Sequence, residues 1–368
     1  MTEKKNNGYY DIRRILKHNA DYNLIVGQRS NGKTYGTLSA ALTSYLNNGA
    51  RTAYLRRYNE EITPGNIKGL FDPHPIADLT EGEYNGTVYK SHRFYLARYE
   101  EGEINARDDV PFCQTFALNT WERQKGADNG KFDYIVFDEF ITRDFYLPNE
   151  FVIFCNVLSS LLRDRDGTKI FMLANTVSKH CPYFAEMGLN HSVLDIGEGE
   201  IVTTKTKEGL KIALELCAES TNTQKVKKYF SFNNKRLEMI TRGKWETKNY
   251  PHLTERVTKD NIIVRFWIFY DNHSAVGDLC ELNGNIFVHF HEGDPAREYN
   301  PNTHYRFSDT PEISPLASNC VYKPVNKAQA VFCDAIRRQK CFYSTNEVGE
   351  YIRNWLQHQK QIDRKFFD

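Results

Sequence analysis

Gly27-Gln28-Arg29-Ser30-Asn31-Gly32-Lys33-Thr34 follows a short apolar run, Asn23-Leu24-Ile25-Val26, and precedes a helix-like stretch from Tyr35 to Leu46 stopped by Asn47-Asn48-Gly49. The octapeptide fits G-x-x-x-x-G-K-[ST] at every position, in the strand–loop–helix setting that gives the pattern its meaning. Two glycines let the backbone wrap phosphate groups so that successive N–H groups point inward, next to the N-terminus of the following helix. Lys33 is placed to reach the β- and γ-phosphates of ATP, and the Thr34 hydroxyl to ligate Mg²⁺. A glycine-rich strand-to-helix turn that holds no nucleotide has the same look. The rest of the chain has to decide.

A second signal stands at Tyr134-Ile135-Val136-Phe137-Asp138-Glu139, a continuous apolar run ending in two carboxylates. Such a run suits a strand buried on both faces of a sheet. Acids at strand ends are commonly solvated turn residues. Beside a phosphate loop they read differently: Asp138 holds Mg²⁺ through water, and Glu139 acts as the general base that polarises the attacking water. An Asp followed directly by Glu favours hydrolysis over transfer to a substrate hydroxyl. Asn175, at the tip of the apolar run Lys169–Leu173, is a candidate γ-phosphate sensor on the strand beside the loop strand; asparagine there is also a turn former. Arg29, inside the loop, can turn toward nucleotide, Glu139 or a neighbouring subunit. Arg163, in Leu161-Leu162-Arg163-Asp164-Arg165-Asp166-Gly167, closes the helical pattern of Phe151–Leu162. It opposes the helix dipole, or presents a finger to the γ-phosphate held by the next subunit of a ring. Arg165 is the other candidate for that finger.

Thr52–Leu55 reads as a further strand, and residues 60–88 as an irregular or β-rich excursion. Strands alternating with helices over the first 175 or so residues argue for a parallel α/β sheet. The 368 residues hold 48 Lys plus Arg against 47 Asp plus Glu, a net charge of +1. Coating of nucleic acid by bulk charge is thereby excluded, and any polyanion site is local. Eight cysteines without a C-x-x-C pair indicate reduced thiols in a cytoplasmic setting rather than a zinc site or disulfide framework. No apolar stretch is long enough to span a membrane, and the start, MTEKKNNGYYDIRR, lacks the apolar core of a signal peptide.

Composition shifts after about residue 205. Lys225, Lys227, Lys228, Lys235, Arg236, Arg242, Lys244 and Lys248 face only Glu238 and Glu246 across Thr221–Lys248. Interleaved with Tyr229, Phe232 and Trp245, this stretch suits contact with a phosphate backbone, or is a solvated helical face. From Asn261, NIIVRFWIFYD, AVGDLCEL and NIFVHFHE are three aromatic-rich β-like runs, followed by helices from about Asn326 to Lys340 and Thr345 to Gln361. Domains are expected at 1–207, 208–255 (a basic helical linker) and 256–368.

With these residues in hand, the chain resembles the DNA-encapsidation (genome-packaging) ATPase of small short-tailed phages with protein-capped linear genomes. The matching pieces are the G-x-R-x-x-G-K-[ST] loop, Leu55-Arg56-Arg57-Tyr58, Ile135-Val136-Phe137-Asp138-Glu139-Phe140-Ile141, Pro148-Asn149-Glu150, Arg163-Asp164-Arg165, Leu173-Ala174-Asn175-Thr176-Val177-Ser178 and Pro182-Tyr183-Phe184. The resemblance covers most of residues 9–184 well and the remainder loosely. The resemblance implies an ASCE-type P-loop ATPase domain, a parallel sheet with flanking helices. It implies a homo-oligomeric ring, a pentamer in this family, that acts in the host cytoplasm at the portal vertex of a prohead. There the ring drives double-stranded DNA and is held through a structural RNA and the portal (connector) protein. It also implies a C-terminal α+β domain like the RNase H-fold nuclease of large terminases, without its catalytic acids. The first C-terminal strand carries Arg265 where a metal-binding Asp is expected, while Asp271, Asp278 and Glu281 are expected in or near turns, solvated. A helicase-like ATPase and a ring component that binds ATP only to assemble are the alternatives. Glu139 argues against the second, which has no use for a base.

Overall fold

Asn23–Val26 is buried on both sides because it lies inside a sheet. In the computed structural model it forms β1 (Tyr22–Gly27), with neighbours on either edge. The structure describes residues 10–123, 130–142, 146–147, 149–162, 167–177, 181–189, 191–218, 250–270, 273–308, 310 and 312–365. They fall into two compact units, 1–246 and 247–368.

The first unit is built on ten strands: β1, β2 (Thr52–Arg56), β3 (Gly86–Lys90), β4 (Arg93–Glu100), β5 (Glu103–Arg107), β6 (Cys113–Ala117), β7 (Tyr134–Asp138), β8 (Lys169–Asn175), β9 (Ile201–Lys205) and β10 (Lys211–Leu216). The order is β3-β4-β6-β2-β7-β8-β1-β10-β9, with β5 on β4. From β6 to β10 every pair is parallel; the flanking pairs are antiparallel. The placement of β8 between β1 and β7 sets the phosphate loop and the two carboxylates one strand apart.

Alternate residues of each central strand feed two cores. Leu24, Val26, Leu55, Phe137 and Met172 pack with Phe154 and Leu158 of the helix Glu150–Leu162 and with Tyr183. On the other face Ile25, Tyr54, Val136 and Phe171 pack with Leu38 and Leu42 of the helix Lys33–Asn48. That helix runs between two left-handed glycines, Gly32 (φ +85°) and Gly49 (φ +74°); the Gly49 N–H closes the end on the Tyr45 carbonyl at 2.7 Å. Its two stops are thus chemically alike, glycine being the residue that enters φ > 0 without a Cβ clash.

Several expectations need correction. The stretch 60–88 is mainly helical turns, Asn59–Ile62, Pro64–Ile67 and Ile76–Leu79, before β3. Ile62, Ile67, Phe71 and Ile76 anchor those turns in the second core. The boundary expected at 207 cuts between β9 and β10, which belong to the first sheet. At its other end, the expected linker loses residues 250–255 to the second unit. Tyr250 donates through its hydroxyl to Glu350 at 2.9 Å, and the Tyr343 N–H donates to the Pro251 carbonyl at 2.9 Å. The basic residues Lys225, Lys227, Lys228, Lys235, Arg236, Arg242 and Lys244 lie outside the described residues.

The second unit is a six-stranded sheet of β11 (Ile262–Tyr270), β12 (His273–Leu282), β13 (Asn285–His291), β14 (Tyr305–Ser308), β15 (Ala317–Ser318) and β16 (Cys341–Tyr343). The order is β15-β14-β11-β12-β13-β16. β11, β12 and β13 form an antiparallel meander, while β14 runs parallel to β11, β15 to β14 and β16 to β13. One face packs Phe266, Ile268, Val288 and Phe290 against Phe332 of the helix Lys327–Arg337 and Ile352 and Trp355 of the helix Asn346–Lys365. Residues one step out of phase on the strands point to the opposite face. There Arg265 makes a two-pronged bond to Asp278, Nε to Oδ1 at 2.7 Å and Nη2 to Oδ2 at 2.9 Å, and His291 Nε2 lies 3.0 Å from Oδ2. Asp278 is therefore a buried strand residue and not the solvated turn residue expected. Of its companions, Glu281 is exposed near the end of β12, and Asp271 lies outside the described residues.

Candidate active site

The loop after β1 doubles back through Ser30 (φ +60°) and Gly32, and the helix starts at Lys33 with no side-chain cap on its Gly32 N-cap. First-turn N–H groups lack intrahelical acceptors, so this end favours an anion. Gly27 is a packing glycine: a Cβ there would stand 2.7 Å from Cys217 Cβ and 2.9 Å from Asn31 Nδ2. Asn31 accepts from the Lys33 main-chain N–H at 3.2 Å.

Lys33 Nζ turns back onto the loop. It donates to the carbonyls of Gly27 (3.1 Å) and Gln28 (2.6 Å) and to Oδ1 of Asn31 (3.2 Å) and Asn175 (3.3 Å). Burial pulls its pKa down to about 8, and the nearby Arg29 charge works in the same direction. Asn175 reaches this amine because β8 pairs in register with β1, setting Gly27 opposite Asn175. The expected neighbour relation between loop strand and sensor strand is thus realised, and the acceptor it offers is the amide oxygen.

Thr34 Oγ1 donates to Asp138 Oδ2 at 2.9 Å, and the buried Tyr54 hydroxyl donates to the same oxygen at 2.9 Å. Glu139, next along, sits at φ +62° with half its side chain exposed, and Arg56 Nη2 contacts its Oε2 at 2.8 Å. Arg56 also pairs with Glu61 and lies 3.9 Å from Asp138. Loop residues Arg29 to Tyr35 and Asp138, Glu139, Ala174 and Asn175 together enclose a cavity of about 390 Å³. Arg29 stands exposed at its lip, whereas Gln28 is buried and outside the lining. The structure therefore brings Arg29, Ser30, Asn31, Gly32, Lys33, Thr34, Asp138, Glu139 and Asn175 to one cavity. Arg163 and Arg165 lie outside the described residues.

Sequence reasoning gave no role to the residues that hold the carboxylates. Tyr54, Arg56 and Arg57 come from β2 and the residue after it, and the Asp138 and Glu139 groups that they hold lie more than 80 positions away. The one available signal was the polar Arg56-Arg57 pair at the end of a buried strand. Its direction on β2, parallel to β7, puts that end beside the carboxylates.

A metal fits here by the chemistry of its donors: a hydroxyl and a carboxylate oxygen already within 2.9 Å of each other at the cavity wall. Hard oxygens of this kind suit Mg²⁺, which takes few protein ligands and otherwise water and phosphate.

Known proteins resemble this chain in two ways. The DNA packaging protein of Bacillus phage phi29 is 26% identical over 184 residues, 48% of this chain and 49% of the relative. That of Bacillus phage B103 is 26% identical over 178 residues, 48% of this chain and 50% of the relative. The chain spans about half the length of the curated relatives it matches. Among solved structures, the bacteriophage Phi-29 viral genome packaging motor assembly superposes with a TM-score of 0.60 at 18% identity, over 94% of this chain and 99% of that one. The Phi-28 gp11 DNA packaging motor gives 0.59 at 17% identity, over 96% and 99%. At such identities the likeness is one of fold. Residues 4–198 match the model of the podovirus DNA encapsidation protein (Gp16) family, and with its loop, paired carboxylates and strand order in place the chain belongs to that family.

Proposed function

We propose that this chain is the ATP-hydrolysing subunit of a motor that drives double-stranded DNA into a prohead. The observation that carries the reading is the Thr34–Asp138 contact inside a cavity that Lys33, Glu139 and Asn175 also line. The insertion of β8 between β1 and β7 supports the ASCE-type assignment.

In this reading the N–H groups of loop residues Arg29 to Thr34 bind the ATP phosphates, and Lys33 exchanges its carbonyl partners for β- and γ-phosphate oxygens. Thr34 and Asp138 would hold Mg²⁺, which would supply charge that neutralises the phosphates. Glu139, whose Oε2 Arg56 holds, takes the proton of the attacking water. Asn175 senses the γ-phosphate, Arg29 acts at the lip, and Arg163 reaches the site of the next subunit in a homopentameric ring. The second unit takes the part of an RNase H-like domain without nuclease chemistry, for which the order β15-β14-β11-β12-β13 is the support. The basic residues between Lys225 and Lys244 grip DNA by its phosphates, since a motor must move any sequence. Structural RNA and the portal protein are its other partners, at the portal vertex in the host cytoplasm. No helix among the described residues is long and apolar enough to cross a membrane.

Two substitutions separate binding from chemistry. Lys33→Ala should weaken ATP binding, while Glu139→Gln should keep it and lower turnover by about 10²-fold or more, the scale of a general base. Undiminished hydrolysis by the Glu139→Gln protein would refute the assignment. Arg163 is tested by mixing two inactive proteins, Arg163→Ala and Glu139→Gln, with DNA and proheads. Recovered ATP turnover is expected from interfaces that pair an intact base with an intact arginine, and mixed rings without recovery count against the trans role.

A further inference from the structure

Segments far apart in sequence meet behind Glu139 around one buried guanidinium. Arg57 is 4% exposed. Its Nε and Nη2 donate to the two carboxylate oxygens of Glu150 at 2.8 and 2.9 Å. Its remaining reach goes to main chain: Nη1 donates to the Glu139 carbonyl at 3.0 Å and Nη2 to the Phe140 carbonyl at 2.7 Å. Glu150 is fixed in turn by the Tyr183 hydroxyl at 2.8 Å and the Leu147 N–H at 2.7 Å. The rings of Phe137 and Tyr146 lie 5.8 and 5.2 Å from the guanidinium carbon.

A buried ion pair that served stability alone could give way to apolar packing without loss. This one spends two donors on consecutive carbonyls directly after the acid motif. Glu139, which carries the first of those carbonyls and directly follows β7, adopts φ +62°, a left-handed conformation that a residue with a side chain keeps only where its surroundings impose it. The Phe140 N–H, bonded to the Leu173 carbonyl at 3.2 Å, fixes the turn from the other side.

We propose that Arg57 is the positioning residue for the general base: by gripping the carbonyls of Glu139 and Phe140 it imposes the left-handed turn that delivers the Glu139 carboxylate to the phosphate-loop cavity. The proposal rests on the reading of Glu139 as the base. The task needs a planar fork, because a lysine ammonium cannot serve the Glu150 carboxylate and both carbonyls in these directions at once. The two adjacent arginines divide the work, Arg56 on the Glu139 side chain and Arg57 on its main chain.

The test is a double-mutant cycle on the full chain, read by single-turnover ATP hydrolysis, by binding of a fluorescent ATP analogue with Mg²⁺, and by thermal unfolding. Arg57→Lys should lower the hydrolysis rate about tenfold or more while the analogue Kd stays within about threefold, the mark of an interaction made in the transition state. In a Glu139→Gln background the same change should cost nothing further, because the carboxylate it positions is gone. An equal loss in both backgrounds, or a full rate for Arg57→Lys, overturns the proposal. Should Arg57→Lys fail to fold, Tyr183→Phe removes one bond to Glu150 and should give a smaller loss, again only with Glu139 present; no loss, or equal losses, overturns it. An inactive Glu139→Gln protein beside a fully active Arg57→Lys protein sinks this proposal alone. A fully active Glu139→Gln protein sinks the base assignment and this proposal together.

Discussion

Lys33 holds its ammonium in a place that burial makes costly, with a pKa near 8 and 7% of its surface exposed. Two opposite pH dependences follow. Phosphate binding needs the charged amine, so the lysine's contribution to nucleotide affinity should be complete at pH 7. It should weaken between pH 8 and 9, by up to about tenfold per pH unit while the bound form stays protonated. Folding works the other way. The unfolded lysine keeps its proton to a higher pH than the folded one, so stability without nucleotide should rise as pH passes from about 8 toward the ordinary lysine value. Equilibrium titration with a fluorescent ATP analogue at pH 7 and 9, beside thermal unfolding at the same two values, checks both signs; a flat affinity profile contradicts the first. The lysine, threonine, two acids and asparagine were legible because their spacing within strand–loop–helix units carries the chemistry. Tyr54 left no local pattern and Arg57 only that of a polar pair at a strand end, since the groups they hold lie more than 80 residues away.

The helix Lys33–Asn48 shows how an element can be right in kind and still hide its constraints. Gly36 lies within its first turns, where alanine is the better helix former by about 1 kcal/mol. A Cβ there would stand 2.5 Å from the Tyr10 carbonyl oxygen. That segment cannot easily withdraw, because the Tyr10 N–H donates to the Asn31 carbonyl at 3.1 Å and its hydroxyl to Glu215 at 2.6 Å. Overpacking costs about 1–3 kcal/mol, so Gly36→Ala should destabilise the first unit on balance; urea unfolding that shows a gain would contradict it. Elements buried on both faces, β1, β7 and β8, announced themselves as continuous apolar runs. β6 and β10 did not. Cys113-Gln114-Thr115-Phe116-Ala117 buries two polar side chains, and Lys211–Leu216 buries Glu215, with Tyr10 donating to it and Arg14 3.3 Å away. Tertiary partners, invisible to periodicity, make those strands possible.

At the scale of the molecule, the second unit has its own aromatic core and its own sheet. A 247–368 fragment should therefore unfold cooperatively by itself. It should also leave duplex DNA uncut with Mg²⁺ or Mn²⁺. Both oxygens of Asp278 are taken by Arg265 and His291, and among the described residues no three acids, histidines or cysteines gather as a metal site. Cleavage by that fragment would refute the reading. The first unit carries a different consequence, written in the position of β10. β1 sits between β8 and β10, and β10 enters the sheet about 190 residues after the strand it flanks. During synthesis the phosphate loop is made long before β10, the strand that covers the far edge of β1. Until Leu216 has emerged, β1 presents a bare parallel edge, the kind of surface on which nascent chains stick to one another. A chain stopped at residue 198, where the family match ends, would retain every motif of the site and leave that edge open.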